Sequence, residues 1–422
     1  MLKNLKAFLW WLVGTTIVIF LIITVLFLFR GGEWSRIPDL YAYLMNTFLV
    51  NPLFYLFVPI PYLVFRFACY LHTVYKRKGW QTAVQKVVLT AILPLLILFG
   101  AFRTLAWYNS QENFAYEWDS SVENLTGKNS GNYRIDGKHR GIHVFLRSDV
   151  EAEVALLVKH NVEWMTLVPY ASQDNVLEPS LRFRKRVAYN RRDSSFIRQI
   201  KIAKENGLHV LMKPHIWTTG DLWRSEIEMS TDANWDQWFE QYENFILHYA
   251  VMAESTGCEA LCIGTELMKP AIMRPTDWRK LIKKVREVYS GKLIYAANWY
   301  KEYEQITFWD ELDYIGIQAY FGLSDASVPT VAQLEKSWKP HKARLLEFHE
   351  KWQNPVLFTE VGYKSVRGAA HKPWEWESYT GLTEKVSMET QANCYEALFR
   401  VFWDEPWFAG VHLWRWQGEA RF

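Results

Sequence analysis

Two glutamates stand where carboxylates could do chemistry. Glu266 closes an apolar run in Ile263-Gly264-Thr265-Glu266-Leu267, and Glu360 closes another in Leu357-Phe358-Thr359-Glu360-Val361-Gly362-Tyr363. Two carboxyl groups facing one glycosidic bond can cleave it by double displacement. One attacks the anomeric carbon; the other protonates the leaving oxygen and then activates water, at a separation of roughly 5–5.5 Å. An ion pair with a neighbouring Arg or Lys would account for either glutamate alone. The catalytic reading is preferred for two at matching strand ends, in a chain with 22 Trp, 22 Tyr and 25 Phe. Other apolar runs end in groups suited to a sugar: Lys213, His215 and Trp217, then Asn298-Trp299, Gln318-Ala319-Tyr320-Phe321, and Trp414-Arg415-Trp416. Tryptophan faces cover pyranose rings, while amides, imidazoles and phenols bind hydroxyls. Lys213, His215, Asn298, Trp299, Gln318, Trp414 and Trp416 are therefore the candidate substrate-binding residues. A hydrogen-bonded structural role is the alternative for His215. Trp235 and Trp238, on a helical pattern, are expected in packing.

The elements that must position these residues alternate. Strands are expected at Gly141–Phe145, Trp164–Pro169, His209–Pro214, Ala260–Gly264, Leu293–Asn298, Tyr314–Tyr320, Pro355–Thr359 and Ala409–Trp414. Helical patterns fall between them at Asp149–His160, Ser195–Asn206, Trp235–Ser255, Thr276–Tyr289, Glu304–Glu311, Val331–Trp352 and Glu384–Trp403. Gly207 and Gly257 sit where helices are usually capped. Alternating strand and helix implies a parallel sheet. Eight units over this length predict an α/β fold, a (β/α)8 TIM barrel, whose active site lies at the C-terminal strand ends. An open doubly wound sheet is the alternative; no glycine-rich phosphate loop follows the first strand to support it. The eighth helix is expected to be missing, leaving a gap for Tyr116–Arg134 or the N-terminal segment to cover.

These stretches resemble glycoside hydrolase family 113 of clan A, whose characterised members are β-mannanases. The resemblance runs from about Lys138 to Trp416. It rests on Cys262–Leu267, Trp278–Ile282, Tyr295–Trp299, Ile315–Phe321 and Thr359–Tyr363. It implies Glu266 as acid/base, Glu360 as nucleophile, and Tyr320 as a phenol donating a hydrogen bond to the nucleophile. Many clan members carry Asn immediately before the acid/base, whereas this chain has Thr265. No cofactor or metal is expected.

The first hundred residues read differently. The 422-residue chain carries a net charge of +3, which argues against a nucleic-acid partner. Ten Lys and Arg against three Asp and Glu give residues 1–112 a net +7, leaving −4 for the remainder. Phe8–Phe29 has no charge and is long enough to span a bilayer. It ends in Arg30-Gly31-Gly32-Glu33-Trp34 rather than in the small residues of a signal cleavage site. Further apolar runs cover Leu40–Phe65, broken by Pro52, Pro59 and Pro61, and Val87–Phe102. Three transmembrane helices are expected, making residues 1–112 a multi-pass membrane anchor in contact with the lipid bilayer. Residues 113–137 would be a linker, and 138–422 the hydrolase domain. Lys3, Lys6 and the cluster Lys76–Lys86 place that domain on the non-cytoplasmic side; a second run folded as two short segments would reverse this. The four cysteines are too few and scattered for a disulfide framework, and a zinc site at Cys258 and Cys262 lacks nearby His partners.

The expected activity is that of a membrane-anchored retaining hydrolase of a β-linked polysaccharide or oligosaccharide, such as β-1,4-mannan. The alternatives are an inactive, tethered carbohydrate sensor or scaffold and a hydrolase remodelling cell-envelope glycans.

Overall fold

Eight of the apolar runs become the staves of a closed parallel barrel. The computed structural model describes residues 59–112, 114, 120–146, 149–183, 191–219, 222–375 and 384–416, with scattered positions before residue 59. The strands are β1 (His139–Val144), β2 (Trp164–Leu167), β3 (His209–Met212), β4 (Ala260–Thr265), β5 (Lys292–Asn298), β6 (Tyr314–Gln318), β7 (Val356–Val361) and β8 (Phe408–Trp416). Each pairs in parallel with the next, and β8 closes onto β1. The helices between them are α1 (Val150–Lys159), α2 (Arg191–Glu205), α3 (Asp232–Thr256), α4 (Pro275–Val288), α5 (Glu302–Gln305), α6 (Val331–Trp352) and α7 (Met388–Phe402).

Helix boundaries follow local chemistry. The Asp149 side chain accepts the Ala152 N–H at the start of α1, and Thr330 and Gln333 form a reciprocal capping box at α6. Gly257 ends α3 with φ 72°, a conformation that costs glycine nothing. The helices bury their apolar faces against the barrel: Trp238, Tyr242 and Phe245 on α3, Trp278 on α4 and Trp338 on α6 are fully or nearly fully buried. Inside the barrel, Trp164, Leu211, Cys262, Ile294 and Leu357 form a second apolar cluster. Gly141 is required there, because a Cβ would lie 2.3 Å from Nδ1 of His412.

Three features depart from the sequence-based expectation. First, the segment expected as a linker contributes to the barrel unit, Ala106–Phe422. The backbone N–H groups of Asn132 and Tyr133 donate to the buried Glu163 carboxylate at 2.6 and 2.9 Å. The Tyr133 ring sits 4.8–5.2 Å from the rings of His209, Trp164 and His139. This segment thus closes the barrel floor. Second, a small sheet forms from Tyr170–Gln173, Leu181–Arg182 and His215–Thr218. Its strands follow directly after β2 and β3, beyond Pro169 and Pro214. Proline lacks the N–H that a ladder needs, so single apolar runs in sequence become two strands in different sheets. Third, the stretch expected as α5 is split into a four-residue helix and a 3-10 turn at Trp309–Glu311.

The other unit is Met1–Leu105. Helices Pro59–Val87 and Leu93–Ser110 are joined by a π-turn at Val88–Ile92, and Gly79, at φ 79° and ψ 172°, interrupts the first. Among the described residues one helix, Tyr62–Ser110, is long and apolar enough to cross a membrane. The expected first span, Phe8–Phe29, and most of the second, Leu40–Phe65, lie outside the described residues. The basic stretch Lys76–Lys86, expected as a connecting loop, is helical on both sides of Gly79. Lys, Arg, Gln and Ala are good helix formers, which a reading based on hydrophobicity alone overlooks. Cys69 is exposed on this helix, while Cys258, Cys262 and Cys394 are buried.

Candidate active site

The C-terminal ends of the strands open into a cavity of about 1150 Å³ that contains both glutamates. Glu360, on β7, is 5% exposed; Glu266, just after β4, is 7% exposed. A carboxylate buried this far needs partners.

Glu360 has them on each oxygen. Its Oε2 accepts the Tyr320 hydroxyl at 2.9 Å. Its Oε1 accepts from Lys213 Nζ and lies 3.7 Å from Nε2 of both His143 and His215. Burial holds both imidazoles well below their usual pKa, and the Lys213 ammonium pushes them the same way. They are neutral at pH 7, so Lys213 is the cation facing Glu360. Burial and the Glu360 charge raise the Tyr320 phenol far above its usual value, so it remains a donor.

Glu266 is held from other elements. Arg224 Nη1 and Trp223 Nε1 donate to its Oε2, the latter at 3.3 Å, and Gln318 Nε2 lies 3.4 Å from its Oε1. Gln318 also accepts from Lys213 at 2.9 Å and from the Thr359 hydroxyl at 3.1 Å. One amide therefore links the groups behind Glu360 to Glu266.

The sequence-derived candidates separate into three groups. His215, Trp299, Tyr320 and Trp414 line the cavity with the two glutamates. The buried His215 Nε2 has no hydrogen-bond partner among the described residues and lies 3.7 Å from Glu360 Oε1. Lys213, Gln318 and Asn298 are buried beneath the surface, where they hold other side chains. Asn298 donates to Glu302 and Ser225, so it does not face a sugar as expected. Trp416 lies outside the cavity: its indole donates to Glu153 of α1 and packs near His160. Simple alternation would put Trp416 on the same face as Trp414. A register shift between β1 and β8, at Ile142 to Val144, breaks that alternation.

Several wall residues escaped the sequence reading. Tyr170, at the start of a strand of the small sheet, and Trp223, Arg224, Tyr300 and Trp374, on turns and loops, line the cavity. Trp374 stacks on Trp299 at 5.2 Å and Trp223 on Tyr300 at 6.2 Å, while Trp217 is 57% exposed at the rim. Burial, with the Glu360 charge, pushes the Tyr170 phenol up to about 12. No strand pattern marks these positions, and Arg224 meets Glu266 across 42 residues of chain.

The family profile of Glycoside Hydrolase Family 113 matches residues 139–421, which include the whole barrel and both glutamates. The chain belongs to glycoside hydrolase family 113. It is thus a retaining glycoside hydrolase of clan A. Solved structures agree. A GH113 β-mannanase from Alicyclobacillus acidocaldarius, in complex with ManMIm, is 28% identical with a TM-score of 0.58; the match covers 66% of this chain and 87% of that one. A complex of a GH113 β-1,4-mannanase is 26% identical with a TM-score of 0.57, covering 66% and 88%. A further GH113 β-1,4-mannanase structure is 27% identical with a TM-score of 0.55, covering 66% and 86%. No curated protein matches the sequence. All three matched chains are spanned over most of their length, so the family 113 hydrolase fold is essentially complete here.

Proposed function

We propose that this hydrolase is membrane-anchored and cleaves β-1,4-mannan or a closely related β-linked glycan, with Glu360 as nucleophile and Glu266 as acid and base. The observation that carries the reading is the presence of two buried carboxyl groups in one cavity, each aimed by its own set of donors. Glu360 is held from both sides by a phenol and an ammonium, which aims it as a nucleophile must be aimed. Glu266, across the Gln318 amide from Glu360 and held by Arg224 and Trp223, is the second carboxyl group in reach of the same cavity.

In the first step the Glu360 carboxylate forms a bond to the anomeric carbon. The bond from that carbon to the glycosidic oxygen breaks, and the proton of Glu266 goes to this oxygen. In the second step Glu266 takes a proton from water, the hydroxide adds to the anomeric carbon, and Glu360 leaves as carboxylate. Two inversions give net retention. Tyr320 and Lys213 stabilise the charge that returns to Glu360. Trp299, Trp374 and Trp414 supply ring faces, and His215 a polar contact.

The mannanase relatives support the substrate class. The apolar helix Tyr62–Ser110 supports anchoring, and the uncharged run Phe8–Phe29 has the length of a further span. The basic clusters of the anchor support a barrel outside the cytoplasm.

The test is a glycan panel on the full chain in detergent, with product length and anomeric configuration followed by NMR. Retained products from β-1,4-mannan are expected. Turnover of β-glucan alone would overturn the substrate, and binding without turnover would favour a tethered sensor. A reporter fused after Phe422 that works only in the cytoplasm should be silent; activity would overturn the orientation.

A further inference from the structure

Glu266 has φ 53°, a left-handed conformation that is strained for a non-glycine residue. Something must hold it there. Its own N–H donates to Ala296 O at 2.9 Å. Its carbonyl accepts the Ser225 hydroxyl at 2.8 Å, and the next N–H, of Leu267, donates to the Tyr295 phenol oxygen at 3.1 Å.

The last two contacts lead to one group. The Tyr295 hydroxyl donates to Oε1 of Glu302 at 2.5 Å. Ser225 Oγ accepts from Asn298 Nδ2 at 3.1 Å, and both Nδ2 and the backbone N–H of Asn298 donate to Oε2 of Glu302. Glu302 is fully buried and does not line the cavity. Once ionised, above about pH 7, its carboxylate only accepts hydrogen bonds. It therefore fixes the direction of every proton in both chains: Tyr295 must donate toward it and present a lone pair to Leu267, and Asn298 must donate, leaving the Ser225 proton for Glu266. The cost is visible in Asn298 Oδ1, which is buried without a partner. Burial pushes the Glu302 carboxyl up to about 7, against the hydrogen bonds from Tyr295 and Asn298.

We propose that Glu302 is a positioning residue for the acid/base: through Tyr295 and through Asn298–Ser225 it clamps the left-handed backbone of Glu266 and so aims its carboxyl at the glycosidic oxygen. This rests on the assignment of Glu266 as acid/base. Thr265 does not supply this clamp; it comes from Tyr295 and Asn298 on β5, from Glu302 at the start of α5, and from Ser225 on the 3-10 turn Arg224–Glu226.

The experiment compares two substrates with the full chain and with Glu302→Gln. One is β-1,4-mannohexaose, whose leaving oxygen needs a proton; the other is 2,4-dinitrophenyl β-mannobioside, whose leaving group does not. Glutamine places a donor where only acceptors fit, so one arm of the clamp must reverse. On the hexaose kcat/KM should fall about 100-fold, the scale of general-acid assistance; on the aryl glycoside it should fall less than about 3-fold. Glu266→Ala should show the same leaving-group signature, larger. Tyr295→Phe, which cuts one arm and keeps the ring packing, should show it smaller and serves if Glu302→Gln does not fold. Equal losses on both substrates, or none on the hexaose, would overturn the proposal. If the wild-type chain cleaves neither substrate, the mannan reading fails. A crystal structure of Glu302→Gln then decides the positioning role: a displaced Glu266 carboxyl supports it, and an unmoved one overturns it.

Discussion

The floor and the mouth of this barrel are built from the same eight strands yet handle polar groups in opposite ways. At the floor, Tyr133 packs edge-on against Trp164 and His139, and His139 continues upward to His412 at 2.9 Å and on to Thr166 at 2.6 Å. These polar atoms face one another, and among the described residues no ion pair joins the His139 or His412 imidazole. At the mouth, two carboxylates, a lysine and an arginine are packed among exposed tryptophans, and one acid sits on left-handed backbone. The floor relaxes its polar groups into closed pairs; the mouth keeps them aimed at a space that a ligand must fill. Stability should therefore be sensitive to the floor and turnover to the mouth.

The largest expected effect is at the mouth. Glu360→Ala should lower kcat by about 10⁴-fold or more while the melting temperature stays near that of the wild type. Azide should then restore turnover and give an inverted product, because the anion enters from the vacated side. Glu266→Ala with an activated leaving group should instead give a retained azide product, since its glycosyl-enzyme still forms. NMR of the products decides it: the opposite configurations would exchange the two roles.

The next effect is acid sensitivity of the interior. His139, His143, His215 and His412 all have pKa values held well below 6.5, chiefly by burial. Each is neutral when folded and protonates when unfolded. Their stabilisation is present above pH 6.5 and is lost as pH falls below it, at up to roughly 1.4 kcal/mol per pH unit for each. Glu302 opposes this: with its value raised to about 7, folding takes up one proton as pH falls toward 4.5. Four histidines outweigh one glutamate, so calorimetry should show a clearly lower melting temperature at pH 5 than at pH 7. An unchanged value would mean that these imidazoles are charged in the folded barrel.

A smaller effect tests the floor alone. Tyr133→Ala should cost about 3 kcal/mol of unfolding free energy, with kcat at low temperature unchanged. A loss of turnover without loss of stability would break the division between the two ends. The smallest effect is at the rim. Trp374→Ala removes a ring stacked on Trp299 and should raise KM by about 2- to 10-fold, the worth of one aromatic contact, with no change in melting temperature.

All eight barrel strands were legible in the sequence because each is a short apolar run set off from the next by a helical or polar stretch. The two glutamates were legible because they close such runs. Arg224 and Trp374 were not, since turns and loops carry no periodicity; nor was Tyr170, whose strand belongs to a second sheet beyond Pro169. Glu302 falls between the expected strand Leu293–Asn298 and the expected helix Glu304–Glu311, where no local pattern marks it. Its burial depends on Tyr295, Asn298 and Ser225 meeting around it, and Ser225 lies 73 residues away from Asn298 in the chain.

The sequence by itself determined the alternation of strands and helices, the barrel that follows from it, the apolar N-terminal runs and the two carboxylates at strand ends. These depend on residue type and local spacing, which the chain carries directly. Only the tertiary structure decided that Tyr133 closes the floor, that Trp416 turns away from the cavity, that Lys213, Asn298 and Gln318 work from beneath it, and that Glu302 stands behind Glu266. Each depends on strand register and on loops brought together across the barrel. A shift of one residue there moves a side chain from one face to the other with no trace in local composition.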